Sequence, residues 1–138
     1  MRPSMMSESE NYFFALIEQM LPQGYRLVPQ VPFAVILSPR KGRKYTSRFN
    51  RISAKRADYC ICRESRLSVF PFFLLETVAV IELDDRSHRR RDRVKRDNFI
   101  NKICAKCGLP MLRFELKPGK KPDYDEREIY KRIISAIR

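Results

Sequence analysis

Apolar residues follow two different periods along this chain, and the switches between them divide it into elements. Within Asn11 to Leu21, Phe13, Leu16, Ile17 and Met20 recur at three- and four-residue steps, the spacing of one helix face. Ser7, with Glu10 three residues on, supplies a capping box for that helix, and Leu21-Pro22-Gln23-Gly24 ends it. Tyr25 to Val31 alternates apolar and polar residues and predicts a strand. Pro29 and Pro32 point to an edge position or an early break, because proline brings no ladder donor. Phe33 to Leu37 is a short apolar run of undetermined type, bracketed here as a possible strand. Arg56 to Arg63 predicts the next strand. Leu67 to Leu75 is apolar, is broken by Pro71, and reads as a connection or an extended hairpin tip. Val78 to Ile81 is unbroken and β-branched-rich, so the strand from Thr77 to Asp84 should be buried on both faces.

From Arg91 the helical period returns. Val94, Phe99, Ile100, Ile103, Cys104 and Cys107 mark one face, and Gly108-Leu109-Pro110 supplies the stop. Met111 to Leu116 is a short strand. After a turn at Lys117 to Pro122, Asp123 and Glu126 make a second capping box for a last helix over 123–137, with Ile129, Ile133 and Ile137 inward. The order αβ(β)ββαβα predicts one domain, an α/β sandwich with a central mixed sheet flanked by helices. At 138 residues the chain can bury about two-thirds of its unfolded surface.

Charge narrows the partner. The net charge of +13 points to a polyanion. It is also clustered. Arg40, Lys41, Arg43, Lys44, Arg48, Arg51, Lys55 and Arg56 fall in a stretch, Ser38 to Ala57, that holds no acid, and most of it is a basic loop over about 38–55. Arg86, Arg89, Arg90, Arg91, Arg93, Lys95 and Arg96 form a second cluster. Neither is interleaved with the apolar face an interfacial helix needs, so nucleic acid is favoured over a membrane surface. No segment is long and apolar enough to span a bilayer, and Met1 to Asn11 has no hydrophobic signal region, so a cytoplasmic location is expected.

The chemistry gathers where the second buried strand ends. Glu82-Leu83-Asp84-Asp85 closes it, followed by His88, the only histidine. Glu82 and Asp84 share one strand face. Two acids at the edge of a core repel unless a cation sits between them; the plainer alternative is a strand leaving the core through a polar turn. If the Arg56 to Arg63 and Thr77 to Asp84 strands form a hairpin centred on Phe70-Pro71, Asp58 falls opposite Glu82. Asp58, Glu82 and Asp84 then converge as oxygen ligands suited to Mg²⁺ or Mn²⁺. His88 is close enough to move a proton, and the arginines to hold phosphates, which together describe metal-assisted phosphodiester hydrolysis. The alternatives are a solvated His88, a solvated basic helix face, and an Asp58 paired with a nearby arginine. Cys60, Cys62, Cys104 and Cys107 could form one zinc site, but the first pair lies mid-strand and the second on an apolar helix face. Buried free thiols are the preferred reading, and zinc is disfavoured.

Ala57-Asp58, Val80-Ile81-Glu82-Leu83-Asp84-Asp85-x-x-His88, Arg96-Asp97 and Gly108-Leu109-Pro110-Met111-Leu112-Arg113-Phe114 together resemble the PD-(D/E)XK nuclease superfamily. Within it they look like the very-short-patch-repair-endonuclease-like branch with its E-L-D-D-x-x-H signature. The resemblance implies a restriction-endonuclease-like sandwich, a bacterial or mobile-element origin, and a metal-dependent endonuclease or nickase preferring DNA to RNA. Asp58 and Glu82 would bind metal, with the Leu83 carbonyl as a further ligand. Glu10 matches an active-site glutamate of such domains, although its capping role explains it equally well. Arg43, Lys44, Arg48, Arg51, Arg89, Arg90, Arg91, Arg93 and Arg96 would contact nucleic acid. Two positions depart from the pattern: Ala57 replaces a proline, and Asp84 stands where a lysine orients water and stabilises charge. Either Asp84 and His88 take over proton transfer, with Lys95 as a replacement cation, or the domain binds nucleic acid without cutting it. Separately, Val69 to Leu75 is apolar enough to pack on a second copy or a protein partner, or else against the core.

Overall fold

The computed structural model describes residues 6–36, 55–66, 73–84 and 100–138. The first helix, α1 (Glu8–Met20), starts where its capping box expects: the Ser7 Oγ accepts the Glu10 N–H at 3.2 Å. It buries Phe13, Leu16 and Ile17. Gly24, at φ +89°, turns the chain into β1 (Tyr25–Pro32), a conformation that only glycine adopts without strain. The short apolar run that follows is not a strand but one helical turn, α2 (Phe33–Ile36). Phe33 leaves the ladder by donating its N–H to the Lys55 carbonyl at 2.9 Å, and its ring is fully buried.

Two long strands, β2 (Arg56–Arg66) and β3 (Phe73–Asp84), form an antiparallel hairpin. Residues 73–75 belong to β3, so this end of the apolar run is an extended hairpin arm, one of the two readings of Leu67 to Leu75. The pairing carries a bulge: Ile61 faces Ala79 but Cys62 faces Thr77, leaving Val78 as the extra residue. A helix at residues 100–106, here α3, is followed by the parallel strand β4 (Met111–Glu115) and by α4 (Glu126–Ile137). The α3 terminus is a Schellman motif. Gly108, at φ +67°, donates to the Ala105 carbonyl at 3.1 Å, and Leu109 to that of Cys104 at 2.9 Å. The N-cap of α4 is Asp125, accepting from the Glu128 N–H, and not Asp123. Tyr124 explains the displacement. Its ring packs edge-on against Phe13 with centroids 5.1 Å apart, and its hydroxyl accepts the Lys117 N–H, which keeps it outside the helix.

Among the described residues the strand order β1-β2-β3-β4 makes a mixed sheet, antiparallel except for its last pair, with β1 at an edge, one of the two readings its prolines allow. Alternation sends Tyr59, Ile61 and Ile81 to one face, where Phe13 and Ile17 of α1 and Ile129, Ile133 and Ile137 of α4 cover them. Cys60, Cys62 and Val80 point to the other, against Phe33 of α2 and Ile100 and Cys104 of α3. The result is an α/β sandwich. Ile133 is fully buried at the centre of the first layer. Ile133→Ala should lower the unfolding free energy by about 2–4 kcal/mol, read from urea denaturation.

Candidate functional site

The hairpin register brings two acids together. Tyr59 pairs with Ile81, Cys60 with Val80 and Ile61 with Ala79; one further step sets Asp58 against Glu82. The ladder ends there, and the Asp58 side chain replaces it, Oδ2 accepting the Leu83 N–H at 2.8 Å. Glu82 is 6% exposed, and among the described residues it is the only buried side chain that is polar or charged. Its Oε1 atom has no hydrogen-bond partner among those residues. Burial, reinforced by the Asp58 charge and by a hydrogen bond with Asp58, pushes the Glu82 carboxyl up to about 8, against the pull of Lys55 and Arg113. Both acids lie on the α2/α3 face, in line with Cys60 and Val80.

Asp84 does not join the pair. Its half-exposed carboxylate accepts from Arg113 Nη1 at 3.2 Å, while Arg113 Nη2 donates to Asn101 Oδ1 on α3 at 3.3 Å. The cause is the parallel β3–β4 register, which sets Arg113 beside Glu82. The three-acid convergence expected from the sequence is thus a pair with a separately engaged third. Among the described residues, no group of three or more His, Cys, Asp or Glu is placed to hold a metal.

Glu10 sits on α1, over the opposite face, where its N–H completes the cap and its carbonyl accepts the Tyr59 hydroxyl at 2.5 Å. Burial, together with the Glu10 and Asp58 charges, raises the Tyr59 hydroxyl well above its ordinary value. His88, Lys95, Arg43, Lys44, Arg48, Arg51, Arg89, Arg90, Arg91, Arg93 and Arg96 lie outside the described residues. So do residues 69–72 of the apolar segment; Leu75, at its end, is 50% exposed.

Cys60, Cys62 and Cys104 are buried, whereas Cys107 is exposed. The expected apolar helix face thus stops at Cys104, because the Schellman turn carries Cys107 outward. Burial raises the Cys104 thiol to about 11 and that of Cys60 further, which keeps both protonated.

Residues 2–136 match the family described as "Protein of unknown function (DUF2726)". The chain belongs to this family. A relative named "Uncharacterized protein" from Haemophilus influenzae (strain ATCC 51907 / DSM 11121 / KW20 / Rd) is 28% identical over 122 residues, covering 86% of this chain and 57% of the relative. The chain therefore spans little more than half of that protein's length. No solved structure matches. Among the described residues, no helix of this DUF2726 chain is long and apolar enough to cross a membrane.

Three features of this family member were not assigned to a site from its sequence. Arg113 was visible only as part of a motif, and Lys55 only as one of a basic cluster. Lys131, Arg132 and Arg138 line an open groove between β4 and α4, with the Arg132 guanidinium 4.3 Å above the Phe114 ring. A fourth feature is conformational. Pro29 pairs with Tyr59 and Val31 with Ala57, which leaves Gln30 across from Asp58 at φ +56°. The left-handed region costs a non-glycine residue about 1–2 kcal/mol, more if it is β-branched. Gln30→Gly should therefore be tolerated, and Gln30→Val, which adds the β-branched penalty to the cost Gln30 already carries, should lower stability in thermal or urea unfolding.

Glu82 also makes a prediction about pH. Between about 4.5 and 8 the folded protein retains a proton that the unfolded chain has lost, so folding stability falls as pH rises through that window. The slope contributed is at most about 1.4 kcal/mol per pH unit. In chelator-containing buffer, Glu82→Gln should remove this component, so its urea midpoint declines less than that of the wild type from pH 5 to pH 8. Parallel declines in the two proteins would contradict the assignment.

Proposed function

We propose that this protein is a divalent-metal-dependent nuclease of the PD-(D/E)XK type, hydrolysing phosphodiester bonds with DNA as the favoured substrate. The observation that carries the reading is the pair itself: carboxylates from adjacent strands side by side, one of them buried with an oxygen unpartnered among the described residues. A buried acid held against a second acid is an unfavourable arrangement that a bound cation relieves. Mg²⁺ and Mn²⁺ suit these oxygens, and Mg²⁺ sites commonly use one or two carboxylates and keep several waters, so Asp58 and Glu82 suffice as protein ligands. When bound, such an ion would polarise the phosphate and acidify water.

The remaining roles fall to the chain. The Leu83 N–H fixes the Asp58 carboxylate, and the peptide it belongs to is thereby held in place beside the acids. His88 would move the proton, as the motif resemblance implies, and the two basic clusters would hold the phosphate backbone. The net charge of +13 supports a polyanionic substrate. The free thiols suit a reducing compartment, and we assign the activity to the cytoplasm.

A second reading, a nuclease fold that binds nucleic acid without cutting it, is favoured by one observation. Asp84 occupies the lysine position and is engaged by Arg113. Incubation of pure protein with plasmid, single-stranded and branched DNA and with RNA, with Mg²⁺ or Mn²⁺, separates the two. The nuclease reading expects metal-dependent cleavage that Asp58→Ala and Glu82→Ala each reduce by about 100-fold or more. Binding that weakens steeply between 50 and 200 mM salt, without cleavage of any substrate, supports the second reading. Neither binding nor cleavage refutes both.

A further inference from the structure

The acid in the lysine position recruits a cation from the next strand. Asp84 projects from the same face of β3 as Glu82, and its Oδ1 lies 3.2 Å from Arg113 Nη1. Arg113 projects from β4, in register with Glu82. Asn101 Oδ1, on α3, receives Nη2 of the same guanidinium at 3.3 Å. Three elements thus fix one planar cation at the rim of the acidic pair. The site is open enough to be reached, with the Arg113 side chain 29% and the Asp84 side chain 47% exposed. A guanidinium held this way is suited to phosphate oxygens, which it meets through directional donors and not only as a point charge.

We propose that Arg113 supplies, from β4, the positive charge at the scissile phosphate that a lysine at position 84 would supply from β3, with Asp84 and Asn101 aiming its guanidinium. This rests on the nuclease reading of the Asp58–Glu82 pair. It changes the role of Asp84. That residue becomes a positioning residue acting through Arg113, rather than a metal ligand or proton carrier. It also makes the departure from the lysine pattern a displacement of the cation by one strand.

The deciding experiment compares cleavage by the wild type with that by Arg113→Gln, Arg113→Lys and the double variant Asp84→Lys/Arg113→Gln, with melting temperatures to confirm folding. Arg113→Gln should lose about 100-fold in kcat with a small change in KM, and Arg113→Lys should retain more than a tenth of wild-type activity. A lysine placed back at position 84 should restore at least ten-fold of what Arg113→Gln loses, a rescue that a purely structural role for Arg113 does not produce. Mn²⁺ binding by calorimetry reads the same charge without turnover: Arg113→Gln, lacking a nearby positive charge, should bind Mn²⁺ roughly five-fold more tightly than the wild type. Wild-type cleavage that survives in Arg113→Gln overturns the role of Arg113 alone, as does a double variant no better than Arg113→Gln. Where the wild type binds Mn²⁺ but cuts nothing, unchanged Mn²⁺ affinity in Arg113→Gln overturns the placement of the charge. A wild type that neither cuts nor binds Mn²⁺ refutes the reading of the acidic pair, and Arg113's assignment with it.

Discussion

Where the backbone pairing of β2 with β3 stops, a side chain takes over: Asp58 accepts the Leu83 N–H that the next residue of β2 would otherwise have met. Much of the site follows from that substitution. Tying a carboxylate to β3 at this point holds it beside Glu82, and the burial of Glu82 then makes the repulsion costly. The long hairpin is what holds the arrangement in place, since its core residues Tyr59, Cys60, Ile61, Ala79, Val80 and Ile81 are all essentially inaccessible to solvent. A strand pair packed on both faces has little freedom to slide the acids apart, because a one-residue slip would exchange the two faces.

The two layers have different work. The α1/α4 layer supplies bulk, with stacked and edge-on aromatic contacts among Phe13, Tyr59, Phe114 and Tyr124. Among the described residues, the α2/α3 face carries three buried thiols, Phe33 and Ile100. The acids open on this side. Glu82 itself is buried against apolar neighbours, which amplifies the charges near it, so that its carboxyl responds both to Asp58 and to the cations Lys55 and Arg113.

Local chemistry was legible in the sequence, and non-local chemistry was legible only where a simple rule linked the positions. Ser7 and Glu10 announce α1, Gly108 announces the end of α3, and Pro29 and Pro32 announce an edge strand or an early break. An antiparallel hairpin centred on Phe70-Pro71 was enough to set Asp58 against Glu82, although the one-residue shift at the Val78 bulge was not visible. The Arg113 contacts followed from no such rule, because a parallel pair has no constant index sum and depends on how the intervening helix delivers the chain. Asp123 and Glu126 read as the capping box of the last helix, but the packing of Tyr124 moves the cap to Asp125. Cys107 matched the helical period, yet the Schellman turn withdrew it. Asp84 looked like a third metal ligand because its partner comes from a strand more than two dozen residues away.

The bulge at Val78 separates the hairpin into two lengths whose registers differ by one residue. Residues 59–61 pair with 79–81 on the site side, while residues 62–66 pair with 73–77 beyond the extra residue. A change of length at the distal end is therefore absorbed before it reaches the acids. The outer half of the hairpin becomes a region where insertions, deletions or a grafted recognition segment can accumulate under weak constraint. Variation among family members should concentrate there, and the inner three pairs should tolerate only substitutions that keep both volume and length.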